Sequence, residues 1–189
     1  MYIWLTEINT AIMKLFWKSI LSPVLICTLI LFSVSCQNVQ QQKSENGDNL
    51  TFTTWENICY DRAASIWLIH NFVDSSAKFR FIEFGKKVNT GTPFDVPGAE
   101  LGRQRNFSCF ETIIQKYKIE DPVILKMSKL VHDIDVNIWG VKIYAVSDSL
   151  DKYFKVKRNE IDDEYELLEV LTMDFNDLYG HVQSGRISL

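Results

Sequence analysis

Between Gly91 and Glu111 the chain reads GTPFDVPGAELGRQRNFSCFE, and this stretch holds the densest set of residues able to do chemistry. Glu100, Arg103 and Arg105 fall within six positions, too much charge for a core strand. Ser108-x-x-Glu111 is a capping box: the serine oxygen accepts from the Glu111 amide, and the glutamate reaches back to the cap. The helix so started, Cys109–Tyr117, aims its amino end at the loop, where unpaired amides favour an anion. Upstream stands Asp61-Arg62 at a helix start, where the dipole disfavours a cation. Arg62 is therefore expected either to meet a carboxylate, Asp61 or Asp95, or to reach for an anion. Downstream, His132, Asp133 and Asp135 gather at a helix end, and the dipole alone accounts for a histidine there. Convergence of Arg62, Glu100, Arg103, Arg105, Glu111 and Asp135 on one cleft is the expected site. Carboxylates in excess would suit a hard divalent cation, and arginines in excess an oxyanion. A purely structural cap and turn is the alternative.

Thiol and metal chemistry have thinner support. Of four cysteines, Cys59 and Cys109 lie in the folded part, each at or just before a helix start. They are close enough in type and compartment for pairing to stay open. There is no CxxC, no HExxH and no paired-histidine spacing, so no metal ligand set is assigned. No cofactor is specified either.

The elements that must position these groups read as follows. Leu50–Trp55 (LTFTTW) is β-branched and aromatic, a first strand. Asp61 is expected to cap a helix over Ala63–Val73, with Ala64, Trp67, Leu68 and Phe72 on its buried face. Lys78–Phe84 is a half-buried strand with Phe79 and Phe81 on one side. Gly85–Thr92 is turn-rich, and Thr92–Val96 is a short third strand closed by Pro97-Gly98. Asp121-Pro122, a cap followed by proline, starts a helix over Pro122–Val131. Another helix is expected over Val136–Leu150, with Trp139, Ile143 and Val146 inward despite Gly140. Asp148–Asp163 reads as a charged, exposed connection, and Glu164–Tyr179 as a last helix on Leu167, Leu168, Leu171, Phe175 and Leu178. The expectation is a single α+β domain over residues 50–189, a sheet of about three strands covered by five or so helices.

The N-terminal residues read as an address. Lys14 and Lys18 flank a positive segment, Ile20–Phe32 is an apolar run, and Ser33-Val34-Ser35 sets small residues before Cys36. Residues 1–35 are expected to be a signal peptide, with Met13 the better initiator, and Cys36 the lipid-bearing first residue of the mature protein. Simple secretion and an uncleaved anchor are the competing readings. Gln37–Asn49 is polar without apolar period, a flexible tether. The expected location is the bacterial cell envelope, membrane-anchored through Cys36 and facing the periplasm or the cell surface. Counting from Cys36, 18 basic and 23 acidic residues remain, a net of −5. That sign excludes a broad nucleic-acid footprint, so no nucleic-acid partner is expected.

Several blocks together resemble the chromate resistance protein family, both its exported form and the C-terminal half of chromate-responsive regulators. They are PFDVPGAEL with SCFETIIQKYKIEDP, YDRAASIWLIHNFVDSSAKFRFI, KLVHDID, and FNDLY at 175–179. They run in order over roughly Thr51–Tyr179. The resemblance implies structural roles for Asp61, Trp67, Asp95 and Ser108, and a terminal acidic residue at Asp135. It also implies a histidine soon after Glu100 and a cysteine at Ser108. Here Arg103, Gln104 and Ser108 stand instead, with Cys109 one residue from the thiol position. Trp55 and Cys59 stand where a basic pair would precede Asp61-Arg62. Arginine and serine neither ligate a soft metal nor do thiol redox chemistry. Arg103 adds fixed charge where the histidine would be, which favours an oxyanion.

Three functions follow as expectations. The first is a non-enzymatic envelope module that binds or senses an oxyanion or a metal. The second is a redox or metal-dependent enzyme acting on chromate. The third is a structural lipoprotein that kept the fold and lost the site.

Overall fold

The computed structural model describes residues 50–189, which form one compact unit. The expected signal peptide, Cys36 and the tether lie outside the described residues. Strand β1 (Thr51–Trp55) leads into helix α1 (Tyr60–Leu68), and the chain returns as β2 (Lys78–Ile82), parallel to β1. Parallel neighbours need such a crossover, and α1 supplies it. β3 (Thr92–Pro93) pairs in parallel on the other side, giving the order β2-β1-β3. Four further helices follow: α2 (Cys109–Tyr117), α3 (Pro122–Asp135), α4 (Ala145–Glu160) and α5 (Glu164–Gln183). Three strands and five helices make an α+β domain, as the sequence implies.

The core is built on α1. Every residue from Tyr60 to Leu68 is buried, because α2, α3 and α5 all pack on it. A helix with one apolar face would not need this, and the sequence led only to such a face. Its last turn widens into a π-helical segment, Ile69–Val73, in which the Asp74 amide reaches the Ile69 carbonyl at 2.9 Å. Phe52 on central β1 meets the rings of Phe79 and Phe94 at centroid distances of 6.0 and 6.3 Å. On the other side, Trp67 sits against Phe175 and Tyr179 and donates its indole N–H to Asn176 at 2.8 Å. The FNDLY segment is thus the wall that receives the α1 tryptophan.

Two helix starts come out as read. Ser108 and Glu111 form the reciprocal capping box of α2. Asp121 accepts from the Val123 and Ile124 amides, with Pro122 in the first turn of α3. The third strand is shorter than expected, because Asp95 turns to a φ of 45° and leaves the extended region. Gly91 must be glycine, since a Cβ there would lie 2.5 Å from Thr53 Oγ1 and 2.7 Å from the Thr51 carbonyl oxygen.

The segment after α3 corrects the reading. Residues 136–144 are not helical, and α4 instead covers most of the stretch taken for a connection. The cause is a pair of contacts. Asp133 accepts from the Ile143 and Tyr144 amides and so anchors the entry to α4, while the Lys142 ammonium takes the carbonyls of Asp133, Ile134 and Asn137. Trp139 (94 % exposed) and Ile143 therefore point outward, and only Val146 of the three residues expected inside packs on the core. α4 buries little beyond Ser147 and Phe154 and carries Asp148–Lys152 and Asp151–Lys155 pairs on its surface, which hid its period.

The two tryptophans should behave oppositely. Trp67→Ala should cost about 3–5 kcal/mol of unfolding free energy, whereas Trp139→Ala should stay within about 0.5 kcal/mol of the parent. Urea denaturation of both variants checks this.

Candidate functional site

Asp61 is the centre of the polar cluster, and it does not cap its own helix. α1 has no side-chain cap; Asp61 in its first turn is buried and faces α2. Its carboxylate accepts from the Cys109 amide at 2.6 Å and the Phe110 amide at 2.9 Å. Glu111 takes the Ser108 amide at 2.8 Å, and Ser108 Oγ takes the Glu111 amide. The anion expected at the amino end of α2 is therefore a side chain of the protein itself. The first-turn amides have no donor left for an external ligand, because a helix start inside the core must be satisfied from within.

Arg62, next in the chain, is a clamp. Nε lies 2.8 Å from Asp95 Oδ2; Nη1 donates to the carbonyls of Glu56 and Asn57, and Nη2 to the Asp95 carbonyl. Asn57 and Asp95 both have φ in the left-handed region, at 66° and 45°. One guanidinium thus holds two turns that non-glycine residues adopt reluctantly. Its fork is filled by the protein.

Arg103 is held differently. Nη1 lies 3.2 Å from Asp135 Oδ2 and Nη2 donates to the Asp135 carbonyl at 2.7 Å, tying the loop to the end of α3. Its side chain is 42 % exposed, so it stands at the rim. His132 Nδ1 lies 2.9 Å from Glu111 Oε2, joining α3 to the start of α2. Asp133 is engaged with α4; burial works against its ionisation, but bonds from Asn137 and the Ile143 and Tyr144 amides outweigh it, bringing its pKa down to about 2.

Of the six residues expected to converge, Arg62, Arg103, Glu111 and Asp135 share one neighbourhood, together with Asp61 and Asp95. Glu100 is turned away and pairs with Lys116 at the surface. Arg105 is exposed and has no ion pair among the described residues. Burial pushes Asp61 well above the usual carboxylate range, with Asp135 and Asp95 adding repulsion against the pull of the α2 amides. Burial also raises Asp95 against Arg62, and Asp135 against Arg103. Cys59 and Cys109 are free thiols, and burial pushes both well up, so they stay protonated at neutral pH. Among the described residues no group of three His, Cys, Asp or Glu side chains is placed to hold a metal ion. The sequence reading missed the Asp61–α2 contact and the His132–Glu111 pair. The available signal for the first was an acidic residue placed two positions before a run, Ala63 to Ile69, that is apolar but for Ser65.

Residues 52–182 match the family model described as ChrB, C-terminal domain. The chain belongs to this chromate-resistance family. The match enters at β1 and ends in α5, so all six clustered residues of the ChrB C-terminal domain lie inside it. The chain is also similar to Protein ChrB of Cupriavidus metallidurans, 22 % identical over 151 residues. That alignment covers 79 % of this chain and 46 % of the relative, so the chain spans about half of that protein's length. No solved structure matches it.

The buried carboxyls set a pH dependence. A carboxyl whose folded pKa exceeds its unfolded value binds its proton more tightly in the folded state, so its stabilising share is complete below an unfolded pKa of about 3.9 and is lost as pH rises through the folded pKa. Asp61, Asp95 and Asp135 all act in this direction. Asp133 acts oppositely: its share is present above about pH 3.9 and disappears as pH falls toward 2. Acidifying from pH 7 to 4.5 should raise the urea midpoint of the parent, and Asp61→Asn should flatten that rise. At pH 7 the same variant should lose about 1–3 kcal/mol, since one α2 amide is left without an acceptor. An unchanged slope in Asp61→Asn would show that Asp61 is not the titrating group.

Proposed function

We propose that this ChrB-type domain serves chromate resistance as a non-enzymatic module that binds a small tetrahedral oxyanion at the rim of the cleft. Arg103 carries the reading. It is the clustered guanidinium that is both half-exposed and incompletely engaged, whereas Arg62 is buried and filled. Arg105, two residues on and unpaired among the described residues, adds a second positive charge. An incoming dianion would compete with Asp135 for Arg103, and burial makes Asp135 a weak competitor because it favours the neutral carboxyl. A guanidinium presents a planar fork suited to such an anion. Both thiols being held protonated, with Cys109 fully buried, supports binding over thiol-driven reduction.

Calorimetric titration of the full chain with chromate, sulfate and phosphate tests this. Arg103→Ala should weaken binding about tenfold or more, the loss of a charged hydrogen bond. Asp135→Asn should tighten it several-fold by releasing Arg103. Weaker binding in Asp135→Asn, with a divalent cation raising the parent's melting temperature, would favour the hard-cation reading instead.

The location proposed is the bacterial envelope, with the domain held through lipid on Cys36 and a tether over residues 37–49. The small residues before Cys36 and the apolar run Ile20–Phe32 support it. Among the described residues no helix is long and apolar enough to cross a membrane. Metabolic labelling with a fatty-acid analogue should tag the protein, and Cys36→Ala should abolish the tag. An unlabelled parent retaining residues 1–35 would overturn the lipoprotein reading.

A further inference from the structure

A cavity that shares no lining residue with the carboxylate cluster opens beside the first turn of α1. It has a volume of about 220 Å³ between the first turn of α1, α4 and α5; Leu150, Phe154, Leu171 and Phe175 supply most of its apolar wall, and Tyr60, Asp174, Tyr153, Asp177 and His181 its polar groups. The Tyr60 ring is held edge-on by Phe154 and Phe175 at centroid distances of 5.7 and 5.5 Å. Tyr60 is 93 % buried, yet its phenolic oxygen has no hydrogen-bond partner among the described residues. One carboxylate oxygen of Asp174, Oδ2, is likewise buried without a donor. Buried polar atoms are nearly always paired, so two orphans on one apolar wall ask for a common explanation. Burial, with the nearby Asp151 and Asp174 charges, pushes the Tyr60 phenol up, so it keeps its proton and has a free donor to offer at neutral pH. Asp174 offers the complementary acceptor.

We infer that this cavity is a binding site for a small, largely apolar molecule carrying one hydroxyl group. A hydroxyl both accepts and donates, so a single group could take the Tyr60 proton and give its own to Asp174. A carbonyl accepts but has no proton to give, and would leave the Asp174 oxygen without a donor. An apolar cavity of about 150 Å³ holds benzene, so this one has room for a ring with one or two further groups. The site shares no contact residue with Arg103 and Asp135, and it does not depend on the oxyanion reading.

The test uses the full chain with 4-ethylphenol and ethylbenzene, which share a shape and differ in the hydroxyl. Calorimetry on the parent should show 4-ethylphenol binding at least about tenfold tighter, the effect of one well-made hydrogen bond. Tyr60→Phe removes one oxygen from the wall, and it should cut that preference below about threefold while ethylbenzene affinity is kept. Leu171→Trp should fill the cavity and abolish both. Arg103→Ala should leave the 4-ethylphenol affinity unchanged. Equal affinity of the two probes, a preference that survives Tyr60→Phe, or no binding of either probe to the parent would overturn the assignment.

Discussion

The contact on which the rest depends is the Asp61 carboxylate at the start of α2. A carboxylate taken from water carries a large desolvation cost unless it is met by donors. Here the donors are two backbone amides at the positive end of a helix, themselves in need of an acceptor inside the core. Each satisfies the other, and the pair fixes α2 against α1 across 48 residues of sequence. With that distance set, Cys109 lies against the Leu101 carbonyl and Thr112 against the Gly102 carbonyl, which pins the intervening loop from below.

Neighbouring residues on α1 then divide the work. Asp61 positions the helix that follows the loop, and Arg62 positions the loop's beginning through Asp95. Arg103 and Glu111 close the arrangement on α3 through Asp135 and His132. The result is an acidic centre sealed within the domain with one guanidinium left at its edge. A ligand that enters must deal with Arg103 first, and it meets protein carboxylates as competitors rather than open amides. This is why the exchange between Asp135 and an external anion, more than attraction alone, governs the proposed binding.

Membership of the ChrB C-terminal family fits this anatomy. The segments through which the resemblance is visible are the ones that contact each other: Asp61-Arg62 with the loop and α2, Trp67 with Phe175, Asn176 and Tyr179, and Asp135 with Arg103. They are joints between elements. The family match therefore reports the fold firmly and a ligand only indirectly, since a joint and a binding group draw on the same residue types.

Local order was decided by the sequence alone. The capping box of α2, the Asp121-Pro122 start of α3, the strand at Thr51–Trp55 and the last helix each follow from a few adjacent residues. So does the class of the fold, because short β-branched runs and longer apolar periods sort into three strands and five helices. Tertiary structure decided which charges meet. Asp61 looks like a cap for its own helix until α2 arrives with two unpaired amides that need an acceptor inside the core. Glu100 looks like part of the cleft until Lys116, sixteen residues on, comes round one side of α2 and takes it. The apolar run after Asp135 reads as a helix because composition cannot show that Asp133 will take the Ile143 and Tyr144 amides, that Lys142 will take the last carbonyls of α3, and that Trp139 will turn outward. Each of these outcomes is a competition between partners distant in sequence. Such a contest is settled by geometry that a linear pattern does not contain.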